Sequence, residues 1–278
     1  MKKIMIVLAL LFLASSLFAQ DAGVLPAGSG RVSVTPSYSF ITGEYDDLRN
    51  FERFDDTSMR LFSLGLALDY GLLNWLTASV QWIPGVAISS EAYDNVSDVS
   101  ELFVGAKIQL LGEQGHFRSS EFRFAIAPGV FVPLMENQVF AAGARFYFDW
   151  IFNRNFFVTL SNETLFFPGN QNFRNAGPEF YGIDEDVNYS LRFGIGSVFT
   201  APIANGIDFT VGLPATYRYL PVPQHSIVVS PHASLFFTNT RFPLEFKFQY
   251  DAPLWGMSSL ARHNASLHVR MYFALRGR

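Results

Sequence analysis

His232-Ala233-Ser234 places a base and a hydroxyl two residues apart. On a β-strand such residues project from the same face, so the two side chains could meet as a hydrolytic pair. Hydrolysis also needs a group that orients the imidazole and a donor for the developing oxyanion. No Asn or Asp can be assigned to either role, so the pair reads as two polar residues facing an interior. His116, His225, His263 and His268 have no ligand-like spacing, and the chain has no Cys. Neither a metal site nor a cofactor is expected.

Three other groups of residues carry more information. Charged residues fall in the middle of apolar stretches: Asp69, Lys107, Arg123, Arg145, Asp149, Arg192, Asp208, Glu245, Lys247 and Arg270. They could line a polar path, but pairing across a narrow interior is the favoured expectation. Aromatic residues occur on the same side as these charges, and Phe103, Phe131, Tyr147, Phe236 and Tyr272 are the candidates for an apolar solute path. Prolines interrupt strand-like stretches, where each removes a ladder donor. Pro84 is one, and Pro128, Pro214 and Pro231 are candidates for an interruption of the wall that would open it sideways toward lipid.

The elements that position these residues are strands. In Phe62–Tyr70, Leu64, Leu66, Leu68 and Tyr70 alternate with Ser63, Gly65, Ala67 and Asp69. After the turn at residues 71–74, Leu76, Ala78, Val80 and Trp82 alternate with Thr77, Ser79 and Gln81. Period two on both arms is a hairpin with one apolar and one small or polar face. The same design recurs in about ten further stretches, from Val32–Phe40 through Phe122–Val132 and Phe246–Tyr250 to Leu267–Phe273, so about twelve strands are expected. The apolar side is rich in Phe, of which the chain has 30. Arms of about ten residues exceed ordinary globular strands and suit a bilayer. Trp75 and Trp150 fall near one end of this pattern and Trp82 and Trp255 near the other, as aromatic girdles would.

The expected fold is an all-β, transmembrane, antiparallel up-and-down β-barrel with lipid outside and polar residues inside. Tight connections near residues 72, 154, 205 and 240 alternate with longer ones near 50, 92, 177 and 256. This is the asymmetry of short periplasmic turns and longer extracellular loops. Residues 1–19 have the form of a signal peptide: Lys2-Lys3, an apolar run, then small residues, with cleavage expected after Ala19. Its removal takes two positive charges from a formal net charge of -4, and a more acidic chain excludes nucleic acid as partner. Residues 20–30 form a short flexible lead, and the barrel occupies 31–278.

Several stretches together carry a resemblance: Leu25-Pro26-Ala27-Gly28, the run Leu68–Ala78, Phe103–Lys107, Ala127-Pro128-Gly129-Val130 and Val211-Gly212-Leu213-Pro214. They resemble the FadL-like outer-membrane proteins, barrels that take up long-chain fatty acids and other hydrophobic compounds. The resemblance implies fourteen strands as the alternative count and an N-terminal plug longer than the lead available here. It also implies passive uptake in which an apolar solute leaves through a gap in the wall. The end of the chain, Val269–Leu275, resembles the signal read by the barrel-assembly machinery. The function expected is passive uptake of small hydrophobic solutes such as fatty acids across the outer membrane, with outer-membrane lipid as the surrounding partner. A structural or adhesive surface barrel is the alternative, and an outer-membrane lipid esterase using Ser234 is a remote one.

Overall fold

The computed structural model describes residues 22–54, 59–89, 99–112, 122–134, 140–168, 187–222 and 224–274. The expected signal segment, the acidic residues Asp55 and Asp56, most of the loop read at 87–98 and the chain end beyond Ala274 lie outside them. The strands are β1 (Ser29–Tyr45), β2 (Phe51–Arg53), β3 (Met59–Leu73), β4 (Leu76–Ser89), β5 (Val99–Leu111), β6 (Phe122–Pro133) and β7 (Ala141–Asn153). They continue as β8 (Phe156–Phe166), β9 (Tyr189–Ala204), β10 (Ile207–Leu220), β11 (Gln224–Val229), β12 (His232–Phe237), β13 (Leu244–Met257) and β14 (Ser259–Ala274).

Each wall strand pairs antiparallel with the wall strand that follows it, and β1 pairs with β14, so the sheet closes on itself. β2 is a side branch on the end of β1, and β11 and β12 are two halves of one wall strand, each laid between β10 and β13. The wall therefore has twelve strands, an even number, as expected for a bacterial single-chain barrel. Apart from the two half-strands, wall strands run from 11 residues in β8 to 17 in β1, enough to cross a bilayer at a tilt.

The alternation sorts as the sequence implies, and it inverts the soluble pattern. Leu68 is 49% exposed on the outer surface and Phe248 54%, whereas Asp149 and Gln249 inside are 0% exposed. An apolar outside around a polar inside, in a wall that closes on itself and has no edge, is what hydrocarbon requires. At the turn end of the wall Phe122, Phe148, Trp150, Phe152 and Phe156 form a chain of ring contacts, with Trp150 and Phe152 centroids 4.8 Å apart. This is an interfacial girdle at the rim where Trp150 was expected.

Two expectations are corrected. Residues 252–262 are not a long loop: β13 runs to Met257, β14 starts at Ser259, and the tight turn between them places Ser258 at φ 46°. Pro253 sits in the strand beside a bulge in the β11–β13 ladder, which breaks the alternation without ending the strand. The lead before the barrel is also not a loose tail, since residues 22–25 are buried inside the wall and Ala27 is held at its rim.

Candidate functional site

The lumen is the site, and its first occupant is the chain itself. Ala22 is 0% exposed, and its N–H donates to Asp149 Oδ2 at 2.8 Å. The Leu25 N–H donates to Thr77 Oγ1 at 2.8 Å, the Ala27 N–H to Asn74 Oδ1 at 3.0 Å and the Gly28 N–H to the Gly71 carbonyl at 2.9 Å. Lys107 Nζ donates to the Gly23 carbonyl at 3.2 Å. Polar groups of β3, β4, β5, β7 and the β3–β4 turn thus take up the backbone of a segment with no strand partner of its own. Contact with β3 is close enough that a Cβ at Gly71 would lie 2.7 Å from the Leu25 carbonyl oxygen and nearer still to that of Pro26. Only glycine leaves room for the segment there.

The mid-strand charges are paired, but between directly opposed residues of neighbouring strands along the inner wall rather than across the lumen as expected. Arg31 holds Asp69 at 2.8 Å, Arg123 holds Asp149 at 2.8 Å and Arg270 holds Glu245 at 3.1 Å. Glu163 takes Arg145 and, at 3.4 Å, Arg192. His232 and Ser234 both face this interior, 8% and 4% exposed. The His232 ring lies over Gly212, and its buried Nδ1 has no hydrogen-bond partner.

The five aromatic candidates all point inward but do not form one continuous surface. Phe103 and Phe131 meet near the loop end, with ring centroids 4.9 Å apart. Gly105 and Gly129 make this possible, because the Phe103 ring lies flat against both where any Cβ would collide. Phe131 also packs against a buried apolar cluster of Ala141, Phe167, Val187 and Leu220. Sequence reasoning missed that cluster. Its only signal was the doublet Phe166-Phe167, where the alternation of β8 stops. Tyr147 sits in the middle of the lumen against Ala22, with Lys107 Nζ 4.7 Å from its ring centroid. Phe236 and Tyr272 pair near the turn end at 5.3 Å, where the Tyr272 hydroxyl donates to Glu245 Oε2 at 3.1 Å.

The prolines mark breaks in the ladders. Between β5 and β6 pairing runs to Gly105↔Gly129 and resumes at Ile108↔Ile126, leaving Ala106 and Lys107 opposite Ala127 and Pro128 unregistered. Between β3 and β4 it stops at Ser63↔Gly85 and resumes at Leu66↔Trp82, around Pro84. Pro214 and Pro231 face the same break between β10 and the halves β11 and β12. That break is bridged, since the Ser230 N–H donates to the Pro214 carbonyl at 2.8 Å and the Tyr250 N–H to the Pro231 carbonyl at 3.1 Å. At Pro128, by contrast, Ala106, Lys107 and Ala127 line an internal cavity of about 100 Å³. Val24 and Leu25 of the inserted segment bound the same cavity. The two missing rungs at Pro128, across which β5 and β6 keep their register, and the blocked lumen therefore lie side by side.

Among solved structures, the chain is similar to a COG4313 outer-membrane channel from Pseudomonas putida F1, with 15% identity, a TM-score of 0.64 and coverage of 93% of this chain and 100% of that one. It is also similar to the NanC porin, with 10% identity, a TM-score of 0.50 and coverage of 88% and 100%. No family model and no curated protein matches the sequence. At these identities the likeness is one of fold: the chain is built as an outer-membrane β-barrel.

Proposed function

We propose that the protein is a passive outer-membrane transporter of small hydrophobic solutes such as fatty acids, as the FadL-like resemblance implies. The observation that carries this reading is the meeting of the cavity with the ladder break at Pro128. A solute that reaches the middle of the lumen finds a wall there whose backbone pairing is already interrupted. The apolar contacts begin near the loop rim with Phe131, Phe167 and Leu220, continue through Phe103 and come to Tyr147 beside the break. Phe236 and Tyr272 lie deeper, on the turn side, and would serve solutes that continue through the lumen. The inserted segment must shift for either route to conduct. Residues 1–19 would direct export, and the end of β14 would be read by the barrel-assembly machinery.

Liposomes holding the mature chain should take up a fluorescent fatty acid faster than empty liposomes, and faster than they take up a small sugar. Pro128→Val restores a donor to β6 and should slow fatty-acid uptake while leaving the fold intact. Uptake equal to that of empty liposomes would refute the transport reading, and unchanged uptake in Pro128→Val would refute the sideways route.

A further inference from the structure

We propose that the outer face of the barrel, at its loop end, holds the phosphorylated headgroup of a glycolipid of the outer leaflet. The site lies outside the lumen and stands whether or not the uptake reading does. It begins from a difference between the two ends of the wall. The ring chain of Phe122, Phe148, Trp150, Phe152 and Phe156 at the turn end carries one polar tip, the Trp150 indole N–H. The loop end is built otherwise. On β10 the outward parity of Val211 and Leu213, 38% and 44% exposed, continues to Tyr217 and Tyr219. These two oppose Ile227 and His225 on β11, and Ile227 opposes Trp255 on β13. Tyr189 has the outward parity of Phe193 on β9.

The rings form one patch. Centroids of Tyr189 and Tyr219 are 6.2 Å apart, those of Tyr219 and His225 5.1 Å, and those of Tyr217 and His225 5.9 Å. The Tyr217 hydroxyl and His225 Nδ1 are 2.6 Å apart. When that hydroxyl donates, the imidazole proton sits on Nε2 and is one more donor. Rings of this kind lie in hydrocarbon with their polar tips at headgroup level.

A cation stands beside the patch. Arg49 is exposed at the tip of the β1–β2 hairpin, with its Cζ 5.5 Å from the Trp255 ring centroid. Its φ of 73° is left-handed, a conformation that favours Gly or Asn over Arg. Arg49 and Ser258 are the two non-glycine residues with positive φ among the described residues, and their turns are tied together. The Ser258 N–H donates to the Asp46 carbonyl at 3.0 Å. The two turns therefore fix the guanidinium over Trp255.

Phenols, an imidazole and a guanidinium at headgroup level suit an anion with several oxygens, as a sugar phosphate is. The surrounding charge decides where that anion comes from. Glu44, Asp46, Asp47 and Glu52 belong to the same hairpin, so it repels a free anion arriving from the water. Asp46 is itself bound to Asn50. The guanidinium lies instead on the side of Trp255, where a phosphate anchored by acyl chains meets it.

Native mass spectrometry of the full mature chain in detergent, titrated with lipid A (an acylated, diphosphorylated glucosamine disaccharide), tests this. One lipid A per barrel should bind saturably, at least about tenfold tighter than its dephosphorylated form or phosphatidylglycerol. Free glucosamine 1-phosphate should not displace it. Arg49→Asn removes the charge with a residue that suits the left-handed turn, and should weaken binding about tenfold. Tyr219→Phe should weaken it about threefold, and Trp150→Leu at the turn end should leave it unchanged. Equal binding of the dephosphorylated form or of phosphatidylglycerol, displacement by glucosamine 1-phosphate, full binding by Arg49→Asn, or an equal loss in Trp150→Leu would overturn the proposal.

Discussion

Gly71→Ala should unseat the inserted segment. The added Cβ would meet the carbonyls of Leu25 and Pro26. These are backbone atoms, which cannot swing aside as a flexible side chain can, so the segment must move as a unit. Moving it loses the Gly28 bond to Gly71 and strains the two neighbouring bonds to Thr77 and Asn74. Three hydrogen bonds at about 0.5–1.5 kcal/mol each amount to roughly 1.5–4.5 kcal/mol, an increase of about tenfold to a thousandfold in the displaced population. The chain has no cysteine, so a single Val24→Cys is a clean reporter at a position only 2% exposed. Its maleimide labelling rate should rise by that factor when Gly71→Ala is added, and single-channel conductance should rise with it. Thr77→Val, which removes one bond, should give a rise of about fivefold. If Val24→Cys labels equally fast with Gly71 and with Ala at that position, in protein that retains its barrel, the segment is not seated against β3 and the account of the blocked lumen fails.

Three further outcomes follow from the wall and its rim. Asp149→Asn leaves Arg123 buried without its countercharge and takes the Ala22 acceptor's charge away, and should cost about 3–5 kcal/mol in denaturant unfolding; a loss under 1 kcal/mol would mean the pair is solvated. Leu68→Arg puts a cation on the lipid face near the middle of β3 and should cost about 2–4 kcal/mol when folding into vesicles is followed; no cost would mean that face does not meet hydrocarbon. Beyond the membrane, Asp46 accepts from the Asn50 side-chain amide at 2.8 Å and from its backbone N–H at 2.7 Å, and the side-chain bond first of all holds its carboxyl below the usual carboxylate range. A depressed folded value contributes stability above the unfolded value and loses it as pH falls through the folded one. The turn at 46–50 should therefore stay ordered at neutral pH and loosen only in acid, below the ordinary range for Asp, as read from amide exchange at Asn50.

The wall was legible because period-two alternation is a direct consequence of a strand with different media on its two faces. Leu64–Tyr70 and Leu76–Trp82 lie within β3 and β4, which run further toward the loop end, to Met59 and Ser89, and the inward direction of Arg123 and Asp149 follows from the same parity. Legibility failed where something other than two media set the pattern. Residues 252–262 carry Pro253, Gly256 and a bulge, so a continuous β13–β14 hairpin looks like a loop. Residues 22–27 have no alternation because their backbone bonds to side chains of the lumen and of the β3–β4 turn rather than to a neighbouring strand, and bonds of that kind leave no period in the sequence. The cluster of Phe167, Val187 and Leu220 gathers at strand ends, where the inward face turns from charged to apolar and the strand rule no longer says which way a side chain points. The inward orientation of Phe103, Phe131, Tyr147, Phe236 and Tyr272 could be read from parity. Their grouping into separate pairs needed the register.

The seam where Ser29 meets Ala274 gives the ring a direction in time. Its first and last strands are partners, so no shorter piece of the chain can be watertight, and closure waits for the final residues to arrive. The inner thread leaves from this same seam. Prising β1 from β14 would therefore undo the ring and loosen its stopper in a single act.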